Sequence, residues 1–274
     1  MSSTSTMARI KSLDLLESTE AFKLIGLSIG QEQQFRPLKE FSSPNEIFRQ
    51  LSHQTNVQPN MDVRTQGTYL ISSLSWSLAE IVSWLDLNLL NLENIWGILT
   101  IKENLMSVVD KGRTYQYASY GWQLPELTFV LNQQDANSVG QNFIICLTPF
   151  VNEIRQQTGM AKGALWRLVT DALAASYLNS GKKLGLVRNA MDRAFAIINE
   201  TGGVLANPKW HFKEYSVDAA SSPTGLYLND WFRVRGGCCR YYTLSGGEYC
   251  STCIHLAEGE REERLKKHIS HSTA

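Results

Sequence analysis

Four cysteines within sixteen residues, in the run GGCCRYYTLSGGEYCSTC, are the part of this chain best suited to chemistry. Cys238, Cys239, Cys250 and Cys253 follow the pattern Cys-Cys-x10-Cys-x2-Cys. Clustered thiols in a chain that shows no export signal point to metal before disulfide. Zn²⁺ and an iron–sulfur cluster both accept four thiolates. The x2 spacing of Cys250 and Cys253 suits either, because one tight turn can aim both sulfurs at one centre. The adjacent pair is less ordinary. Neighbouring side chains in extended backbone point to opposite sides, so gripping one small tetrahedral ion with both requires a bent backbone. A binuclear cluster accepts thiolates arriving from different directions. Gly236-Gly237 before the pair and Gly246-Gly247 in the loop offer backbone freedom, and loop amides can donate to cluster sulfurs. Spacing alone leaves zinc and [2Fe–2S] both open.

Other reactive residues are weaker signals. Cys146 sits in the apolar run Phe143-Ile144-Ile145-Cys146-Leu147 and reads as a small buried hydrophobe. Arg233, Arg235 and Arg240 flank the cysteines. They suit a carboxylate on a substrate, an acidic electron donor or hydrogen bonds near a cluster, and solvated charge is the plain reading. Trp231, Tyr241 and Tyr242 suit either shielding or packing. His255 adjoins the last cysteines, but four thiols are already present. His268 and His271 lie in a polar tail and read as surface residues.

The run Arg233-Val-Arg235-Gly-Gly-Cys238-Cys239-Arg-Tyr241-Tyr242, with Cys250-x2-Cys253 after it, resembles the FhuF-like ferric siderophore reductases. Their C-terminal signature has the same cysteine spacing, often with Arg before it and an aromatic after it, behind upstream helices. Gly163-Ala164-Leu165-Trp166 is similar to a Leu-Trp position on one such helix. The resemblance covers about twenty residues firmly and about 160 loosely, and the N-terminal 60 residues stand outside it. One departure is Ile254-His255, where many members carry Pro and Leu. That change can shift a potential but removes no ligand.

The resemblance implies a [2Fe–2S] cofactor held by Cys238, Cys239, Cys250 and Cys253. It also implies one-electron reduction of a ferric siderophore, usually of hydroxamate type, in the cytoplasm. Arg233, Arg235, Arg240 and Tyr241 become the expected contacts to substrate or donor. The chain has no G-x-G-x-x-G after a strand and no G-x-x-x-x-G-K, so it is not expected to bind its own nicotinamide, flavin or nucleotide through those motifs. Its electrons are then expected from a ferredoxin, flavodoxin or separate reductase. A peripheral contact with an inner-membrane importer is compatible with this reading. The competing readings are a zinc-binding structural or interaction protein and an accessory protein of siderophore assembly.

These residues need a scaffold, and 274 residues are enough for one large domain, or one domain and a small module. The balance of 26 Lys+Arg against 26 Asp+Glu argues against a general nucleic-acid binder. The most apolar stretch, Leu70 to Leu92, contains Glu80 and Asp86 and reads as a core helix rather than a membrane span. Its face carries Ile71, Leu74, Leu78, Ile81, Val82, Leu85 and Leu89 at helical spacing, with Trp76 and Trp84 two turns apart. Leu105–Val109 and Thr114–Tyr120 read as a hairpin around Asp110-Lys111-Gly112-Arg113. A further strand is expected at Leu127–Leu131. Helices are expected at Leu13–Leu27, Leu147–Gln157, Met160–Leu178 and Lys183–Asn199, with Gly181 stopping the third. The last two should form an antiparallel hairpin.

Phe41–Pro59 reads as loop with one helical turn near Ile47, and His211–Tyr215 as an extended piece. The expected fold class is α+β, mainly helical, with a small antiparallel sheet and a C-terminal [2Fe–2S] module. The expected divisions are a poorly patterned segment 1–60, a mainly helical siderophore-binding domain 61–228, a cysteine module 229–256 and a charged tail 257–274 without an apolar stripe.

Overall fold

The computed structural model describes residues 26–29, 34–56, 60–89, 96–110, 113–124, 134–200, 202–223 and 225–272. The expectations for Leu13–Leu27 and Leu127–Leu131 fall almost wholly outside these residues. Leu27 itself opens a strand.

The longest helix, α3, runs from Val63 to Leu87. Its Asp62 cap accepts the Thr65 amide at 2.7 Å, which satisfies one of the unpaired donors of the first turn. Ile71, Leu74, Leu78, Ile81, Val82 and Leu85 are all buried, as the spacing required. Two earlier helices precede it: α1 (Leu38–Phe41) and α2 (Pro44–Gln54). The second replaces the expected loop. Pro44 sits in its first turn, where a missing amide costs nothing, and Ile47 and Leu51 face the core together.

Beside α3 lies a four-stranded sheet of β1 (Leu27–Ile29), β2 (Arg36–Pro37), β3 (Thr100–Asp110) and β4 (Arg113–Leu124), in the order β1-β4-β3-β2. The expected hairpin is β3–β4, longer at its open end, with Ile101 opposite Trp122. The sheet is mixed rather than purely antiparallel, because β1 runs parallel to β4 with Leu27 beside Trp122. A three-residue strand without alternation gave no sign of this in the sequence.

Three helices complete the body: α4 (Ala136–Thr158), α5 (Lys162–Leu184) and α6 (Val187–Glu200). The first starts eleven residues before the expected helix, and includes Pro149. Gly181 does not stop α5. A Cβ there would come within 2.5 Å of the Ala190 Cβ, so its role is close approach to α6. The stop is Gly185, which takes the left-handed conformation at φ +68°. A buried polar knot ties the body: Asp86 accepts from Tyr177 at 2.8 Å and from Arg193 at 2.8 and 2.9 Å.

The hairpin β5 (His211–Val217) and β6 (Leu228–Val234) follows, and α7 (Glu258–Ser272) ends the chain. The expected boundary at 228/229 falls inside this hairpin. The tail does carry an apolar stripe. Leu265 and Ile269, one turn apart, are buried with Tyr215 and Val217 in a small second core. Two residues among many charges were too few to register as a pattern, yet they suffice to seat a helix on a hairpin. The class is α+β and mainly helical.

Candidate metal centre

β6 delivers the chain to the cysteines at Val234, and Asp171 of α5 catches it there. The Asp171 carboxylate accepts the Gly236 amide at 2.9 Å and the Gly237 amide at 2.8 Å. Arg233 and Arg235 approach the same carboxylate at 3.8 and 3.6 Å. Arg233 also donates to the Asp171 carbonyl at 3.0 Å. The two glycines are needed for closeness rather than for an unusual backbone. A Cβ on Gly236 would overlap Asn207, and one on Gly237 would meet Asp171 and Leu168 at 3.1 Å.

α3 holds the next residues. Thr68 donates to the Cys239 carbonyl at 3.0 Å. Arg240, at φ +59°, donates to Asp62 at 2.8 Å and to Thr65 at 3.0 Å. α7 holds the far end, where Arg261 donates to the carbonyls of Cys253 and Leu256, each at 3.1 Å. Cys250 and Cys253 share a turn in which the Cys253 amide reaches the Cys250 carbonyl at 2.9 Å.

Sulfur-directed donors accompany these anchors. The Arg240 amide lies 3.4 Å from Cys238 Sγ, and Arg235 Nη1 lies 3.9 Å from Cys250 Sγ. The Cys239 thiol hydrogen-bonds to Cys250, which raises Cys239 and lowers Cys250; the Arg235 charge adds to the lowering. Burial pushes the Arg233 guanidinium down to about 10 despite the nearby Asp171. Cys238 faces outward, 3.5 Å from His255 Nε2, whose ring packs on Tyr242 and Tyr249 at 5.1 and 5.7 Å.

All five cysteines are free thiols. Among the described residues no three His, Cys, Asp or Glu side chains converge as a group for one metal ion. The four candidate cysteines sit on two loop segments, with Cys239 against Cys250, Cys253 buried and Cys238 beside His255. An all-thiol donor set with amide and guanidinium donors aimed at its sulfurs fits an anionic thiolate-held cluster.

Residues 235–253 match the family model of the FhuF 2Fe-2S C-terminal domain. This module is a FhuF-type [2Fe–2S] domain. The cofactor is therefore a [2Fe–2S] cluster, and the resemblance carried by the cysteine motif holds at the level of an FhuF-like family. No curated protein and no solved structure matches the chain. No helix among the described residues is long and apolar enough to cross a membrane.

Beside the FhuF-type module lies a cavity of about 240 Å³. Cys239, Arg233 and Arg235 line it from the module, Tyr69 and Trp76 from α3, and Asp171 from α5. The structure thus brings Arg233 and Arg235 to one cavity with a cysteine. Arg240 and Tyr241 do not line it: Arg240 is spent on Asp62, and the Tyr241 ring is partly exposed to solvent. Trp231 carries Arg188 over its ring at 4.3 Å. Trp166 is core, 4% exposed.

Asp171 is the site residue that sequence reasoning missed. Its signal was an acid on the apolar side of a helix, between Val169 and Leu173, both buried. Such an acid needs partners from outside its helix. Arg261, Thr68 and Asp62 left no comparable mark.

Proposed function

We propose that this protein is a ferric siderophore reductase. Cys238, Cys239, Cys250 and Cys253 hold the [2Fe–2S] cluster, and the substrate is an Fe³⁺-siderophore of hydroxamate type. The proposed location is the cytoplasm, where thiols stay reduced. Held by these four residues, the cluster would supply one-electron chemistry, with the electron coming from a ferredoxin, flavodoxin or separate reductase and Fe³⁺ being released as Fe²⁺. Hard oxygen donors hold Fe²⁺ far more weakly than Fe³⁺, so this step alone unlocks the iron.

One observation carries the reading. Cys239 lines a cavity together with two arginines, so a cluster ligand and the groups that attract anionic oxygens share one space. Asp171 fixes both guanidinium groups and the two amides that precede the cysteine pair. The chain's own residues need supply no acid, base or nucleophile. Their task is to hold the chelate near Cys239 and to keep the thiolate environment constant while charge changes.

The test begins with absorption and EPR spectra of protein purified without oxygen, before and after dithionite. About two irons per chain and an S = ½ signal on reduction are expected. The reduced protein is then mixed with a ferric trihydroxamate and an Fe²⁺ trap, and should return to its oxidised spectrum as trapped Fe²⁺ appears. A colourless protein with one zinc, or a reduced protein indifferent to every ferric chelate, would sink the proposal.

A further inference from the structure

The cavity beside Cys239 does not end at Trp76. A second cavity of about 430 Å³ shares Ser72, Ser73 and Trp76 with it and continues to Tyr117–Tyr120 of β4. Together they make one groove laid across α3, with Trp76 standing where the halves meet. Cavities of this combined order hold ligands of several hundred daltons.

The two ends differ in chemistry. The inner end has two guanidinium groups with side chains only 13% and 15% exposed. Arg233 Nε and, at the junction, Ser72 Oγ are buried without a hydrogen-bond partner, while Arg235 Nε has only its ion pair with Asp171 at 3.6 Å. Buried polar groups are nearly always paired, so two unpaired donors around one cavity point to an oxygen-rich ligand that completes them. The outer end offers hydroxyls and aromatic rings, Ser73, Trp76 and Tyr117 among them, suited to methylene and amide segments.

We infer that this groove binds the ferric chelate lengthwise. The metal-binding oxygens lie at the arginine end, against Cys239, and the organic chain passes over Trp76 toward β4. The favoured ligand is therefore an open-chain hydroxamate chelate rather than a compact one. This inference rests on the reductase reading and adds the place and shape of the substrate. Trp76 and Ser73 are its specificity-determining residues.

Binding of a redox-inert probe tests it separately from electron transfer. The probe is the Ga³⁺ complex of a linear trihydroxamate, titrated calorimetrically into oxidised, cluster-loaded protein. The parent should bind it. Ser73→Trp, which fills the junction, and Trp76→Ala, which removes the wall, should each weaken binding by about tenfold or more. Absorption and circular dichroism spectra like the parent's would show that both variants keep cluster and fold. Reoxidation of the reduced variants by ferricyanide should match the parent, because that small oxidant can approach at Cys238.

Unchanged affinity in Ser73→Trp, or no binding to the parent while the ferric complex is still reduced, would overturn the groove and leave the reductase standing. Groove-dependent binding of the gallium probe without reduction of the iron complex would uphold the groove and remove the reductase reading.

Discussion

The helical body and the cysteine module are held by different forces. In the body, Leu70, Leu74 and Leu78 of α3 and Leu165, Val169 and Leu173 of α5 are wholly buried in one apolar core. Between residues 235 and 257 the buried apolar side chains are only Leu244, Cys253 and Leu256. The module depends instead on polar anchors reaching in from outside: Asp171 from α5, Thr68 and Asp62 from α3, and Arg261 from α7. Apolar burial is forgiving of small displacement, whereas hydrogen bonds fix direction. The body therefore has a core of its own that needs no metal, and its polar anchors fix where the cysteine loops lie.

The widest separation of the two regions should come from cysteine variants. Cys239→Ser is expected to abolish cluster assembly, with complete loss of the visible chromophore, while far-UV circular dichroism keeps the helical signal. Cys146→Ala is expected to keep the cluster. Cys146 lies on α4 with its thiol pushed up to about 12 by burial, so it is a poor ligand and a packed side chain. A coloured Cys239→Ser protein with the parent's iron content would break the ligand assignment. A colourless but folded Cys146→Ala protein would break the division between body and module.

Asp171 joins the two regions, and its loss should be the most costly single change outside the ligands. Asp171→Ala strands two amides and leaves Arg233 and Arg235 buried side by side without their counter-charge. Breaking a buried ion pair by removing one partner costs about 3–5 kcal/mol. Asp171→Asn keeps an acceptor for one glycine amide and should lose less. Chemical denaturation measures the stability, and the rate of bleaching under a chelator measures the module. Bleaching as slow as in the parent would show that the carboxylate does not position the loops.

How far each region could be read from sequence follows from the same contrast. Periodic apolar residues announced α3, α5 and α6, and alternation with a turn announced β3–β4, because burial leaves a regular imprint. Elements with one or two buried residues per turn leave little: the sequence over α2 reads as loop with one helical turn near Ile47, and over α7 as a solvated helix or disordered end, without the seat that Leu265 and Ile269 provide. The cysteine motif was legible because thiols at fixed spacing are rare. The anchors were not, because Asp171, Thr68 and Arg261 are distant in sequence from what they hold. Gly181 was misread because the residue that ends a helix and the one that lets two helices touch are the same type.

The body also has polar contacts of its own, and these should respond to pH where its apolar core does not. Glu46 of α2 is paired with Arg36 and Arg49. Burial alone would raise its carboxyl, but the two arginines outweigh it and hold it down at about 2, against an ordinary 4.5. A carboxyl lowered on folding stabilises fully above its unfolded value and loses that contribution as pH falls through its folded one. Glu46→Gln should therefore cost about 1–2 kcal/mol at pH 7, allowing for solvent screening. The gap from the parent should narrow between pH 4.5 and 2. Urea titrations at several pH values measure it, and a gap that stays constant down to pH 2 would remove Glu46 as its source.

The smallest effect should come from Arg240, although it sits between two cysteine segments. Its partner Asp62 is half exposed, and such pairs contribute about 0.2–1 kcal/mol. Asp62 keeps its capping bond to the Thr65 amide when Arg240 is gone, so α3 is not unravelled. Arg240 also stands at φ +59°, where a side chain is a cost and glycine is at ease. Arg240→Ala should lose slightly more stability than Arg240→Gly, the reverse of the order expected for an ordinary extended residue. Both should bind a ferric trihydroxamate as the parent does, since Arg240 lies outside the cavity lined by Arg233 and Arg235. A rise in KM in both variants, with stability unchanged, would move the substrate to the outer face and dissolve the distinction between the arginines that line the cavity and the one that fastens the loop.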